Sequence, residues 1–136
     1  MCVSALAECR RPAADLELRL APAPQAPAQA REFVRNRLPA LGLPQLVENA
    51  TLVAVELVTN AFKYAPEGPS WLSLRLAAGQ LLMEVQDCSA LLPVFRDPDH
   101  VAESGRGLHL VAAVCKDLDW IIVDGGKVIW ALFDAE

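Results

Sequence analysis

Apolar residues in this chain recur with two different periods, and the places where one period gives way to the other lay out its elements. Over residues 15–21, Leu16, Leu18 and Leu20 alternate with polar neighbours, which predicts a half-buried strand. Pro22, Pro24 and Pro27 mark a turn and a helix start; the helix runs to about Leu41, with Phe33, Val34, Arg37, Leu38 and Leu41 on one mixed face and Gly42 as its stop. Pro44 opens a second helix that continues through Tyr64, where Pro66-Glu67-Gly68-Pro69 breaks it. Residues 71–77 and 81–87 alternate on either side of Ala78-Gly79-Gln80 and pair as an antiparallel hairpin, with Leu72, Leu74 and Leu76 toward the core. An irregular stretch, residues 88–104 with Pro93 and Pro98, leads to Gly105-Arg106-Gly107, and helical period follows over residues 108–118. Residues 120–133 fold back at Asp124-Gly125-Gly126-Lys127 as a second hairpin. The order strand, two helices, two strands, loop, helix, two strands predicts an α+β two-layer sandwich: a mixed, mostly antiparallel sheet with helices on one face. Residues 1–14 carry no period and read as a flexible tail, which leaves 15–136 as a single domain.

Composition narrows what such a sandwich does. With 136 residues, 54% of them hydrophobic, the chain is large enough to bury one core without metal or disulfide support. A formal net charge of -5 and the lack of any Lys/Arg run argue against direct binding to nucleic acid or an anionic membrane, since both need clustered positive charge. Cys2, Cys9, Cys88 and Cys115 are far apart with no CxxC pair, so they read as reduced thiols. Apolar runs stop well short of a membrane span, and Arg10 and Arg11 follow rather than precede the short apolar start, so a cytoplasmic location is expected.

Three places depart from plain packing. The second helix is apolar nearly all round, yet Asn49, Glu56, Asn60 and Lys63 fall in one narrow stripe, with Glu56 and Asn60 one turn apart. A buried carboxylate and carboxamide there need partners such as a cation with phosphates; a solvated stripe is the plainer alternative. Asp87 shares its face with Leu81, Met83 and Val85, so it points inward at a strand end, toward either an amino group of a ligand base or the amides of the following turn. Glu103-Ser104-Gly105-Arg106-Gly107-Leu108 places two glycines before a helix, which suits either an anion at a helix N-terminus or a turn with Ser104 as cap.

Taken in order, Glu56-Leu57-Val58-Thr59-Asn60-Ala61-Phe62-Lys63-Tyr64-Ala65, Asp87 and Gly105-Arg106-Gly107-Leu108 resemble the N, G1 and G2 boxes of GHKL ATPases. The compact length and the closing Gly-Lys-Val-Ile-Trp strand are similar to bacterial anti-sigma-factor serine/threonine kinases, and the likeness spans roughly residues 15–134. The resemblance implies the Bergerat ATP-binding fold, with ATP and Mg²⁺ as cofactors. Asn60 would hold Mg²⁺ against the phosphates, Glu56 would be the general base, and Asp87 would accept from the adenine amino group. Gly105, Arg106 and Gly107, with Leu108 closing the box, would cradle the phosphates, and Lys63 or Arg106 would help neutralise them. The implied partners are a sigma factor and an anti-anti-sigma protein that is phosphorylated on serine, and a homodimer is suggested. The chain departs from the family pattern at Asp87-Cys88-Ser89, where Asp-x-Gly is usual, at Tyr64-Ala65 in place of His-Ala, and at Lys127, where threonine is frequent.

Two readings therefore compete: a serine kinase controlling transcription by partner switching, which Glu56 and Asn60 favour, and a module of the same fold that holds a partner without phosphorylating it, which Ser89 favours. A metabolic enzyme on another α+β fold would need a His, Cys or Ser constellation, and His100 and His109 have no acidic or nucleophilic neighbour by motif.

Overall fold

A computed structural model describes residues 16–64, 68–88 and 103–135, with backbone alone at 64 and 103–108. In chain order the elements are β1 (Leu16–Leu20), α1 (Ala26–Ala40), α2 (Val47–Tyr64), β2 (Ser70–Ala77), β3 (Gln80–Asp87), α3 (Glu103–Val114), β4 (Asp117–Val123) and β5 (Gly126–Asp134). A 3₁₀ turn at Pro44–Leu46 leads into α2 where the sequence suggests a continuous helix.

The five strands form one sheet in the order β1-β2-β3-β5-β4, and all four pairings are antiparallel. The sheet is therefore antiparallel rather than mixed. The reason is the crossover: β3 and β4 run in the same direction, but the hairpin of β4 and β5 docks through β5, which fills the place between them. β2 and β3 join through Ala78 and Gly79, both left-handed with φ of 54° and 74°, the turn geometry that matches strand twist. At the end of α1, Gly42 at φ 79° lets the Leu43 N–H donate to the Leu38 carbonyl at 2.8 Å, closing the helix's last turn.

One face of the sheet carries the core. Leu72 and Leu74 of β2, Leu81, Met83 and Val85 of β3, and Ile129, Ala131 and Phe133 of β5 are buried against the helices. α1 contributes Ala26, Ala30, Val34 and Leu38, a stripe spaced by four, and α2 contributes Ala50, Val53, Ala54, Leu57, Val58 and Ala61. Leu76, expected in this core, is instead exposed. Its partner across the β2–β3 ladder, Leu81, is buried between β2 and β5.

Helix α3 begins and ends earlier than the period implied, at 103–114 rather than 108–118. Leu118, whose spacing matched the helix, belongs to β4 and pairs with Ala131, and the Lys116 N–H already donates to the Leu132 carbonyl at 2.7 Å. No helix among the described residues is long and apolar enough to cross a membrane.

Candidate functional site

The polar stripe of α2 passes from solvent into the core and out again. Asn49 is exposed, Glu56 is half-buried, Asn60 is 4% exposed, and Lys63 returns to the surface in the last turn. Asn60 is an anomaly, as is the Thr51 hydroxyl earlier in the same helix, which is also buried and without a partner among the described residues. The Asn60 Nδ2 has no hydrogen-bond partner among the described residues. A buried amide left unsatisfied costs about 1–3 kcal/mol, so a native chain keeps one where something else supplies the acceptor. Its neighbour Thr59 solves the same problem locally, with Oγ1 donating back to the Val55 carbonyl at 2.6 Å.

Asp87 ends β3 on the core face, in line with Met83 and Val85, and is buried as its alternation predicts. A donor comes from the neighbouring strand. Lys127 stands directly opposite Asp87 in the β3–β5 register, and its Nζ donates to Oδ2 at 2.7 Å, with both side chains only 3% exposed. Sequence reasoning names Lys127 only as a departure from the family's threonine. The signal for its role is parity: Lys127 shares the inward face of Ile129, Ala131 and Phe133, and the two hairpins place it across from Asp87. A buried pair of this kind is held by its own attraction against a desolvation cost of several kcal/mol per ion.

Gly105-Arg106-Gly107 lies within the first turns of α3, not in a loop ahead of it, and Ser104 is inside the helix rather than capping it. The opening turn of a helix carries backbone N–H groups with no intrahelical partner, so the glycines remain at an anion-favouring end. The side chains of Arg106 and Leu108, and all of Ser89, Ala65 and His100, lie outside the described residues. His109 is exposed. Cys88 and Cys115 are free thiols, and burial raises the Cys115 pKa above its ordinary value; Cys2 and Cys9 are outside the described residues. The Cys88 Sγ donates to the Pro69 carbonyl at 3.5 Å, tying the end of β3 to the entry of β2.

These pieces converge by topology. α2 packs across β3, β2 and β5 and along α3, so the helix that carries Glu56 and Asn60 covers the strands that carry Asp87 and Lys127. The sequence model of the histidine kinase-like ATPase domain matches residues 20–133, which includes every one of these positions. The chain belongs to that family. No curated protein matches the chain. Among solved structures, a chain of the SiaB–SiaC complex from Pseudomonas aeruginosa superposes with a TM-score of 0.57 at 15% identity, covering 96% of this chain and 94% of that one. The Acinetobacter baumannii histidine kinase AdeS gives 0.51 at 12% identity, over 99% of this chain and 74% of that one. At such identities the likeness bears on the fold, and it agrees with the ATPase-domain sandwich. In this histidine kinase-like ATPase domain, then, Asn60, Asp87 and Lys127 are among the buried polar groups of the described residues.

Proposed function

We propose that the chain is an ATP-binding regulatory protein that phosphorylates serine on a protein partner and controls transcription by partner switching. The observation that carries the reading is the buried amide of Asn60, whose Nδ2 has no hydrogen-bond partner among the described residues, on the helix that covers the strands bearing Asp87 and Lys127. A phosphate oxygen accepting from Nδ2, with Oδ1 left to ligate Mg²⁺, would satisfy the side chain in full. The residues present thus fit a nucleotide with its metal, and Mg²⁺ when bound supplies charge neutralisation at the phosphates.

Asp87 accepts from the exocyclic amino group of the base; an ionised carboxylate has about four acceptor positions, of which Lys127 takes one. Glu56, half-buried one turn before Asn60, orients the serine hydroxyl and takes its proton as the serine oxygen bonds to the γ-phosphorus and the bond from that phosphorus to the β–γ bridging oxygen breaks, releasing ADP. The first turn of α3 and the exposed Lys63 meet the phosphates. The partners in this reading are a sigma factor and an anti-anti-sigma protein, in a cytoplasmic setting and with the kinase as a homodimer. Support for a protein partner comes from the neighbour of the same fold that is found in a two-protein complex.

A second reading is favoured by the same Asp87: with Lys127 bonded to it, adenine binds less tightly, and the fold serves to hold a partner without phosphoryl transfer. Calorimetric titration with ATP, with and without Mg²⁺, on wild type, Asn60→Ala and Asp87→Asn separates the two. Saturable binding whose Mg²⁺ dependence disappears in Asn60→Ala supports the kinase. No binding by folded wild type at millimolar ATP leaves the partner-holding module.

A further inference from the structure

We infer that Asp117 and Asp119 hold the outer edge of β4 closed to strand pairing, and that a second copy of this chain is what they keep off it. The inference goes beyond the nucleotide reading and does not depend on it.

A strand at the end of a sheet presents a row of backbone N–H and C=O groups without a neighbour, a ready template for another strand. β4 is such a strand. In the order β1-β2-β3-β5-β4 it pairs with β5 on one side, and among the described residues no strand lies on its other side. The tight turn at Asp124 and Gly125 fixes which groups face which way. Val123 and Gly126 are the pair that closes this hairpin, so the backbone groups of residues 123, 121, 119 and 117 turn to β5, and those of Leu118, Trp120 and Ile122 turn outward. The strand is 7 residues long, and Ile121 and Ile122 near its end are 52% and 51% exposed. Length, exposure and composition together would make it a pairing site.

Two of its outward donors are already taken. The Leu118 N–H donates to Asp117 Oδ1 at 3.0 Å, and the Trp120 N–H donates to Asp119 Oδ1 at 2.8 Å. The side-chain type and the spacing make this possible. A short carboxylate reaches back to nearby main-chain N–H groups, and Asp117-Leu118-Asp119-Trp120 sets one aspartate before each of two successive outward amides. The carbonyls of an approaching strand would find these donors occupied. The guard stops at Ile121, whose side chain has no acceptor for the Ile122 N–H.

A second copy is the occupant that the edge itself fits. With Trp120 opposite Trp120 of another copy in an antiparallel register, Leu118 faces Ile122 and Ile122 faces Leu118. Every outward-turned residue of one strand then meets an outward-turned residue of the other, in a two-fold contact that needs no further sequence.

The test joins amide hydrogen exchange by NMR with sedimentation equilibrium of the full chain. In wild type the amides of Leu118 and Trp120 are expected to exchange about fivefold or more slowly than that of Ile122, the factor that one net hydrogen bond confers. Equal exchange at the three amides overturns the inference without any variant having to fold. Asp117→Thr/Asp119→Thr, which frees two donors in each copy, is expected to tighten self-association by about 100-fold over wild type and to add exchange protection over residues 117–123. Asp117→Asn/Asp119→Asn keeps a side-chain oxygen before each amide and is expected to associate no more than wild type does. Adding Ile122→Lys to the threonine variant should return it to the wild-type mass, because a lysine on a sheet edge blocks pairing. A folded threonine variant that associates only as wild type does overturns the inference. So does an asparagine variant that associates like the threonine one, or association that survives Ile122→Lys.

Discussion

The buried pair between Asp87 and Lys127 gives a sharp stability prediction, because its two halves are expensive apart and nearly neutral together. At 2.7 Å and an effective dielectric of about 20, the attraction is roughly 6 kcal/mol, and desolvating two ions costs several kcal/mol each. The pair is therefore expected to contribute little net stability over apolar side chains of similar volume. Removing one partner is different, since the other stays buried as an ion. Lys127→Met and Asp87→Leu should each destabilise by about 3–5 kcal/mol, whereas the double variant should be less destabilised than either single change and within about 1 kcal/mol of wild type. Urea unfolding at pH 7, followed by far-UV circular dichroism with linear extrapolation, measures all four corners of the cycle. A double variant as unstable as the sum of the singles would show that the two charges do not compensate each other, and the reasoning would fail. The same cycle bears on ligand binding: a loss of this size is a large part of the roughly 5–15 kcal/mol that holds a domain folded, so titrations of Asp87→Asn need normalising to the folded fraction.

Two further expectations concern the surface. Asp134 is an exposed carboxylate whose pKa is lowered, first by the hydrogen bond from Gln80 and then by Lys116. A depressed folded-state pKa stabilises above the unfolded value and is lost as pH falls through the folded one, so an Asp134→Asn deficit should be present at pH 7 and vanish in acid below the ordinary aspartate range. Unfolding midpoints across that range check it, and a deficit independent of pH would refute it. Ala78 sits at φ 54° in the hairpin between β2 and β3, a conformation that costs a residue with a Cβ about 1–2 kcal/mol. Ala78→Gly should thus raise the melting temperature by a few degrees, and an unchanged or lower value in calorimetry would count against that strain.

Most of the fold was legible because its signals are local. Period-two runs at 71–77 and 81–87 and the Asp124-Gly125 turn gave both hairpins, and the order of elements gave the sandwich. What local period misjudged were edges. Leu118 fits a helix by spacing, but β5 offers its backbone a strand partner, and tertiary pairing wins over propensity. Leu76 alternates as a core residue, yet it lies near the turn end of the β2–β3 hairpin and is exposed. The candidate site was legible as a set of anomalies: Asn60 and Asp87 are polar residues at apolar positions, and both are buried. Lys127 was visible as a letter but not as a partner, since its meaning depends on a register set by two hairpins and a crossover.

The placement of β5 between β3 and β4 also carries a consequence for how the chain acquires its site. β5 is the last of the five strands in chain order, yet it lies inside the sheet, and Lys127 reaches Asp87 only once it has docked. During synthesis Asp87 precedes its counter-ion by 40 residues, and the edge of β3 that β5 covers has no partner strand until the last hairpin is made. A chain that ends before the final hairpin has Asp87 without Lys127, so the buried ion pair belongs only to the finished molecule.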